Sequence, residues 1–102
     1  MLARMWRGWT SNADTETYIS YLHRTGLKAY RATPGNQAAY ILHRPDGERT
    51  EFVTLTFWDS LDSVRMFAGD QYEQAVFYPE DDQYLVARET TSTHYEVVEA
   101  RS

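Results

Sequence analysis

The chain has 102 residues, 42% hydrophobic and 25% charged, the balance of an ordinary globular domain and not of a disordered or fibrous one. A formal net charge of -5, with the ten basic residues scattered along the chain, argues against the basic face that nucleic acid requires. The absence of Cys excludes disulfides, thiolate metal sites and a cysteine nucleophile, and no apolar run reaches the roughly 18–20 residues of a membrane span.

A chain of this size buries only about 60–65% of the surface its unfolded form exposes, so association with a second copy would add to a modest core. Aromatic residues, at 15%, are the outlier in composition. Such side chains line pockets and subunit interfaces, or fill an aromatic core. The N-terminus Met1–Thr10 lacks the apolar stretch of a signal peptide, so a cytoplasmic protein without a membrane partner is expected.

Residues Met1 to Thr10 read as a strand with Leu2, Arg4 and Trp6 on one face and Ala3, Met5, Arg7 and Trp9 on the other. Both faces carry bulk, as for a strand packed between helices and a partner sheet, and which of them looks at the helices is left open. Ser11, Asn12 and Asp14 signal a helix start, and Tyr18, Tyr21, Leu22 and Thr25 draw one buried stripe along a helix of about Ala13 to Thr25 that Gly26 ends.

Pro34-Gly35-Asn36 marks a turn before a second strand, Gln37 to Arg44, and Pro45-Asp46-Gly47 marks a hairpin to a third, Arg49 to Trp58. Asp59 or Ser60 caps a second helix carrying Leu61, Val64, Met66 and Phe67, which Gly69 breaks. A short helix is expected over Gln71 to Phe77, then an acidic helical turn from Pro79-Glu80-Asp81-Asp82 through Leu85, then a last strand from Thr93 to Glu99. The order is βαββαβ, an α+β ferredoxin-like fold with an antiparallel sheet in one domain over residues 1–102.

Several short runs give the chain a resemblance along nearly its whole length. They are Tyr18, Tyr21-Leu22 and Gly26, then Pro34-Gly35-Asn36, then Leu55 through Ser60. Phe67-Ala68-Gly69-Asp70, Tyr78-Pro79-Glu80-Asp81 and His94-Tyr95-Glu96-Val97 complete the set. In their order and spacing these runs resemble the antibiotic biosynthesis monooxygenase (ABM) superfamily. The resemblance implies a dimeric α/β barrel, in which two four-stranded sheets pack face to face and each subunit holds a pocket between its sheet and its helices. It implies a homodimer, with Tyr40, Leu42, Phe52 and Val97 as candidates for the barrel-facing side.

Members of that superfamily include cofactor-independent oxygenases of aromatic polyketide phenols, haem-degrading oxygenases, and proteins without an assigned activity. A haem-degrading member would carry Asn on the first strand, Trp on the second long helix and a ligating His beyond it. Here those positions fall on Met5 or Trp6, Met66 or Phe67, and Val76 or Phe77, so no haem is expected. Cofactor-free oxygenation needs a base and a dry aromatic pocket.

The candidates are His94 as base with Tyr72 beside it, and Trp6, Phe67 and Arg4 as the substrate pocket, with no cofactor and no metal. His94 could equally be a hydrogen-bonded histidine at the sheet edge, and Trp6 and Phe67 could be core. Arg4 is expected either to meet a substrate oxyanion or, the preferred reading, to pair with a carboxylate at the dimer interface. Glu80, Asp81 and Asp82 are too close together for a calcium loop, whose ligands spread over about twelve residues. His23 and His43 read as solvated, and no phosphate loop or nucleophile elbow occurs. The expected function is a monooxygenase of small aromatic or polyketide-like compounds, with a non-catalytic small-ligand-binding barrel as the alternative.

Overall fold

A computed structural model describes residues 1–101. Strand β1 (Leu2–Ser11) leads through a 3-10 turn (Asn12–Asp14) into helices α1 (Thr15–Arg24) and α2 (Gly26–Ala32). Strands β2 (Asn36–Asp46) and β3 (Arg49–Trp58) form a hairpin, followed by α3 (Leu61–Ala68), α4 (Asp81–Tyr84), β4 (Leu85–Arg88) and β5 (Thr93–Glu96). The sheet is antiparallel in the order β2-β3-β1-β4, and β5 also pairs with β1. This is the ferredoxin-like α+β arrangement expected from the element order.

The fourth sheet position is one interrupted strand. Arg88 faces Gly8 and Thr93 faces Met5, so five steps along the broken strand match three along β1. The extra residues bulge away and pair with the segment after α3: Ala75 N donates to Thr90 O at 3.0 Å and Ser92 N to Glu73 O at 2.8 Å.

That pairing explains one departure from expectation. No helix forms over Gln71 to Phe77, because the backbone groups of Glu73 and Ala75 are used by the bulge, with Gln74 bridging Thr91. A second departure is at Gly26, which begins α2 instead of closing the first helix. Thr25 takes φ -115 and ψ -87 and kinks the chain, and its hydroxyl donates to Tyr21 O at 2.9 Å. Beyond the kink Leu27 and Tyr30 bury a fresh stripe. Leu85 opens β4 instead of ending a helical turn, and β5 stops at Glu96, three residues short of its expected end.

The turn signals hold. Gly35 and Gly47 take φ of 90 and 65, which L-residues avoid, and Ser60 caps α3 by accepting from Ser63 N at 3.3 Å. A side chain on Gly35 would also run into Ser63 and Asp59.

Even-numbered β1 residues face the helices. Trp6, Tyr18, Tyr21, Leu22, Phe52 and Leu85 form one core cluster, and Leu27, Tyr30, Trp58 and Val64 a second. Phe52 is fully buried here, which removes it from the barrel-facing candidates: its register partner on β1 is Gly8, on the helix side. The other sheet face carries Met5, Trp9, Val53, Leu55 and Phe57 with Tyr40, Leu42 and Tyr95, the last three about half exposed. No helix among the described residues is long and apolar enough to cross a membrane.

Candidate functional site

A narrow cavity lies between sheet and helices. Arg4 and Trp6 of β1 and Thr54 of β3 form its floor, with Tyr18 and Leu22 of α1, Tyr30 of α2 and Phe67 of α3 as walls. The segment Ala75–Tyr78, Asp81 and Ser92 complete it. Its volume of about 40 Å³ admits a few waters, so an aromatic ring enters only if the wall moves.

The local sequence explains how Trp6 is presented. Gly8 is the next residue on the same face, and a Cβ there would lie 2.7 Å from Trp6 Cζ2 and 3.1 Å from Leu85 Cδ2. With no side chain at position 8 the indole lies down along the strand, where Nε1 donates to Glu89 O at 2.7 Å and the ring meets Phe77 edge-on, centroids 5.9 Å apart. Phe67 stacks obliquely on Tyr30 at 4.8 Å and on Trp58 at 5.5 Å.

Arg4 is only 5% exposed. Its Nη1 donates to Tyr72 O and to His94 Nε2, the latter at 2.9 Å, and its Nη2 donates to Gln74 O at 3.2 Å. The guanidinium lies over the Phe67 ring, 5.8 Å from its centroid. No ion pair among the described residues includes Arg4. The preferred expectation for Arg4 is therefore corrected: it sits on the helix side of the sheet, away from the barrel face, and meets carbonyls rather than a carboxylate. Burial lowers its pKa from the ordinary value, with Tyr30 opposing.

Because a guanidinium can only donate, the Nε2 of His94 must accept and its Nδ1 carries the proton. Burial first, and then Arg4, lower the His94 pKa below its usual value, with Glu73 acting the other way. Tyr72 packs edge-on against His94, with ring centroids 5.3 Å apart. The fold thus joins Arg4, His94 and Tyr72, and joins Arg4, Trp6 and Phe67 around the cavity. His94 and Tyr72 do not themselves line it.

The residues that sequence reading missed as cavity groups are Tyr18, Tyr30 and Asp81. Asp81 is 4% exposed; its Oδ1 accepts from the Tyr18 hydroxyl at 3.2 Å and its Oδ2 from Tyr78 N at 2.7 Å. Burial raises the Asp81 pKa, against the pull of Tyr78 N and Tyr18. Burial and the nearby Asp81 raise that of Tyr18 as well. Burial pushes Tyr21 up to about 12, and its hydroxyl is buried without a partner among the described residues. The three-residue spacing from Tyr78 to Asp81 was the available signal, since a carboxylate three residues on can bond back to a turn's first N–H.

The neighbouring acids diverge: Asp82 pairs with Arg88 at 2.5 Å while Asp81 points inward. No group of three or more His, Asp or Glu among the described residues is placed to hold a metal ion. No histidine lines the cavity either, so a haem would find no imidazole there.

No family model matches the chain, and no curated protein does. Solved structures do. A protein from Nitrosomonas europaea named for the antibiotic biosynthesis monooxygenases superposes with a TM-score of 0.70 at 16% identity, over 97% of this chain and all of the other. One from Bacillus cereus, named likewise, gives 0.67 at 11% identity, covering 99% and 96% of the two chains. The fold is theirs. A point mutant of MhuD, solved with two manganese protoporphyrin IX per active site, gives 0.63 at 16% identity over 100% and 99%. Sharing a fold does not fix a ligand, so the residues of this cavity must decide its chemistry.

Proposed function

We propose that the chain is a cofactor-independent monooxygenase of small aromatic or polyketide-like compounds, bound between sheet and helices and working in the cytoplasm. The observation that carries this reading is the cavity itself, whose aromatic walls surround a buried guanidinium and a buried carboxylate. Trp6 and Phe67 wall the ring's site, and Arg4 holds its oxygen end.

The reaction needs no external reductant. A phenol and O2 yield a quinone and water: one oxygen atom enters at a ring C–H carbon, the other leaves as water, and the substrate supplies all four electrons. The first demand is a base that makes the phenolate, which is electron-rich enough to react with oxygen.

Two groups can take that proton. His94 does so after Arg4 releases its Nε2, with Tyr72 holding the imidazole in place. Asp81 already faces the cavity, and its raised pKa makes it a better proton acceptor than an ordinary carboxylate. Oxygen uptake by His94→Ala and Asp81→Asn decides between them: the variant that loses activity names the base. Wild-type uptake in both would remove acid–base catalysis from the reading.

A second reading, non-catalytic binding of a small apolar ligand, is favoured by the narrowness of the cavity.

The active form is proposed to be a homodimer. The sheet face opposite the helices exposes Tyr40, Leu42 and Tyr95 to 52%, 48% and 51% among other apolar side chains, and a second copy of the same face would cover them. Light scattering at micromolar concentration is expected to give twice the 11.9 kDa chain mass. A monomer there would remove the dimer.

A further inference from the structure

We infer that the cavity ligand is an anion, a carboxylate, phenolate or enolate joined to an aromatic body, with its charged oxygen on the unused edge of Arg4. The inference rests on the pocket reading above and adds a ligand class to it.

A guanidinium has five N–H donors. Three are committed, two on Nη1 and one on Nη2, to Tyr72 O, His94 Nε2 and Gln74 O. Nε–H and the second Nη2–H remain. These two donors fit the two oxygens of a carboxylate or the single oxygen of a phenolate.

Charge balance points the same way. All three partners of Arg4 are neutral, since His94 is held as the uncharged acceptor, and Arg4 is absent from the ion pairs. A guanidinium only 5% exposed keeps its proton, so the fold buries a positive charge without a counter-ion among the described residues. Pinning the backbone of residues 72–74 requires donors but not a charge, so that role leaves the charge itself unexplained. The groove floor is where the charge is met, because Arg4 lines the cavity beside Trp6 and Phe67.

The carboxylate in the same cavity does not neutralise it. Asp81 spends its oxygens on Tyr18 and Tyr78 N, and its pKa shift is not driven by Arg4. A ligand of this class therefore puts its anionic oxygen at Arg4, whose charge Asp81 leaves unpaired.

The test compares benzoate with benzyl alcohol, of similar size but uncharged, by calorimetry at pH 7, with the Trp6 indole N–H followed by NMR. Wild-type protein is expected to bind benzoate at least tenfold more tightly, with the Trp6 signal shifting. Arg4→Met is expected to abolish the preference and Arg4→Lys to keep part of it. The Lys variant, which retains a donor and a charge, and a thermal melt of each variant separate lost recognition from lost folding.

Equal binding of the two probes to wild type, or an unchanged benzoate preference in folded Arg4→Met, would overturn the inference and leave the pocket standing. Binding of neither would remove both. A benzoate preference in a protein that consumes no oxygen with any phenol would keep the anion site and remove the oxygenase reading.

Discussion

Gly8→Ala tests the packing that presents Trp6 to the cavity. The new Cβ would come within 2.7 Å of Trp6 Cζ2 and 3.1 Å of Leu85 Cδ2, so the indole must leave its place. Overpacking of this kind costs about 1–3 kcal/mol. Moving the ring also breaks the 2.7 Å bond from Nε1 to Glu89 O, worth about 1 kcal/mol. Against this, replacing Gly by Ala within a strand returns roughly 0.5–1 kcal/mol of backbone entropy. The net loss is about 2 kcal/mol, which for a domain of this size lowers Tm by roughly 8–16 °C. Urea unfolding and calorimetry at fixed protein concentration would measure it.

The Trp6→Leu background supplies the control, since a smaller side chain leaves room for the methyl group. There the same substitution is expected to cost under about 0.5 kcal/mol, a coupling that a double-mutant cycle reads directly. A Gly8→Ala protein as stable as wild type would refute the argument, because it would mean that the indole does not lie over position 8.

Two further predictions concern pH. His94 has a folded pKa below its usual 6.5, so the unfolded chain binds the extra proton more readily. Its contribution to stability is complete above about pH 6.5 and is lost as pH falls from there to the lowered folded value. His94→Gln is expected to flatten that part of a Tm-against-pH curve, and an unchanged slope would exclude it as the cause. Asp81 behaves oppositely in origin: its folded pKa lies above the ordinary 3.8, so stability falls as pH rises between the two. Over that window the Tm of Asp81→Asn is expected to rise relative to wild type; a difference constant with pH would contradict the raised pKa.

The parts of the fold legible in the sequence were those set by local rules. The strand alternation of Arg49–Trp58, the Asp46-Gly47 hairpin and the Ser60 cap follow from periodicity and turn chemistry and appear as read. What escaped was decided over long range. Gln71–Phe77 stays non-helical because residues 90–92, far along the chain, take up its hydrogen bonds. Gly26 carries the usual mark of a helix end, yet the tertiary burial of Leu27 and Tyr30 continues the helical path.

The candidate site shows the same division. Arg4 and Trp6 could be named together because strand alternation puts them on one face, and Phe67 because it lies on the apolar stripe of a helix; the cavity brings all three together. Asp81 was not, since three adjacent acids before Gln83 look alike apart from the spacing back to Tyr78, and its burial is set by the packing of Tyr18 against Phe52 and Tyr84. The side of the sheet that Arg4 occupies was equally hidden, because Trp6 and Trp9 give both faces of β1 aromatic bulk.

The most direct test of the account is oxygen uptake by the purified, metal-free protein with a panel of anthrols, naphthols and hydroquinones, followed by product mass. The account predicts uptake well above the uncatalysed rate for at least one phenol, with one oxygen atom added and water as the other product. No uptake across the panel, by a protein that binds those same compounds, would contradict it and leave a ligand-binding barrel.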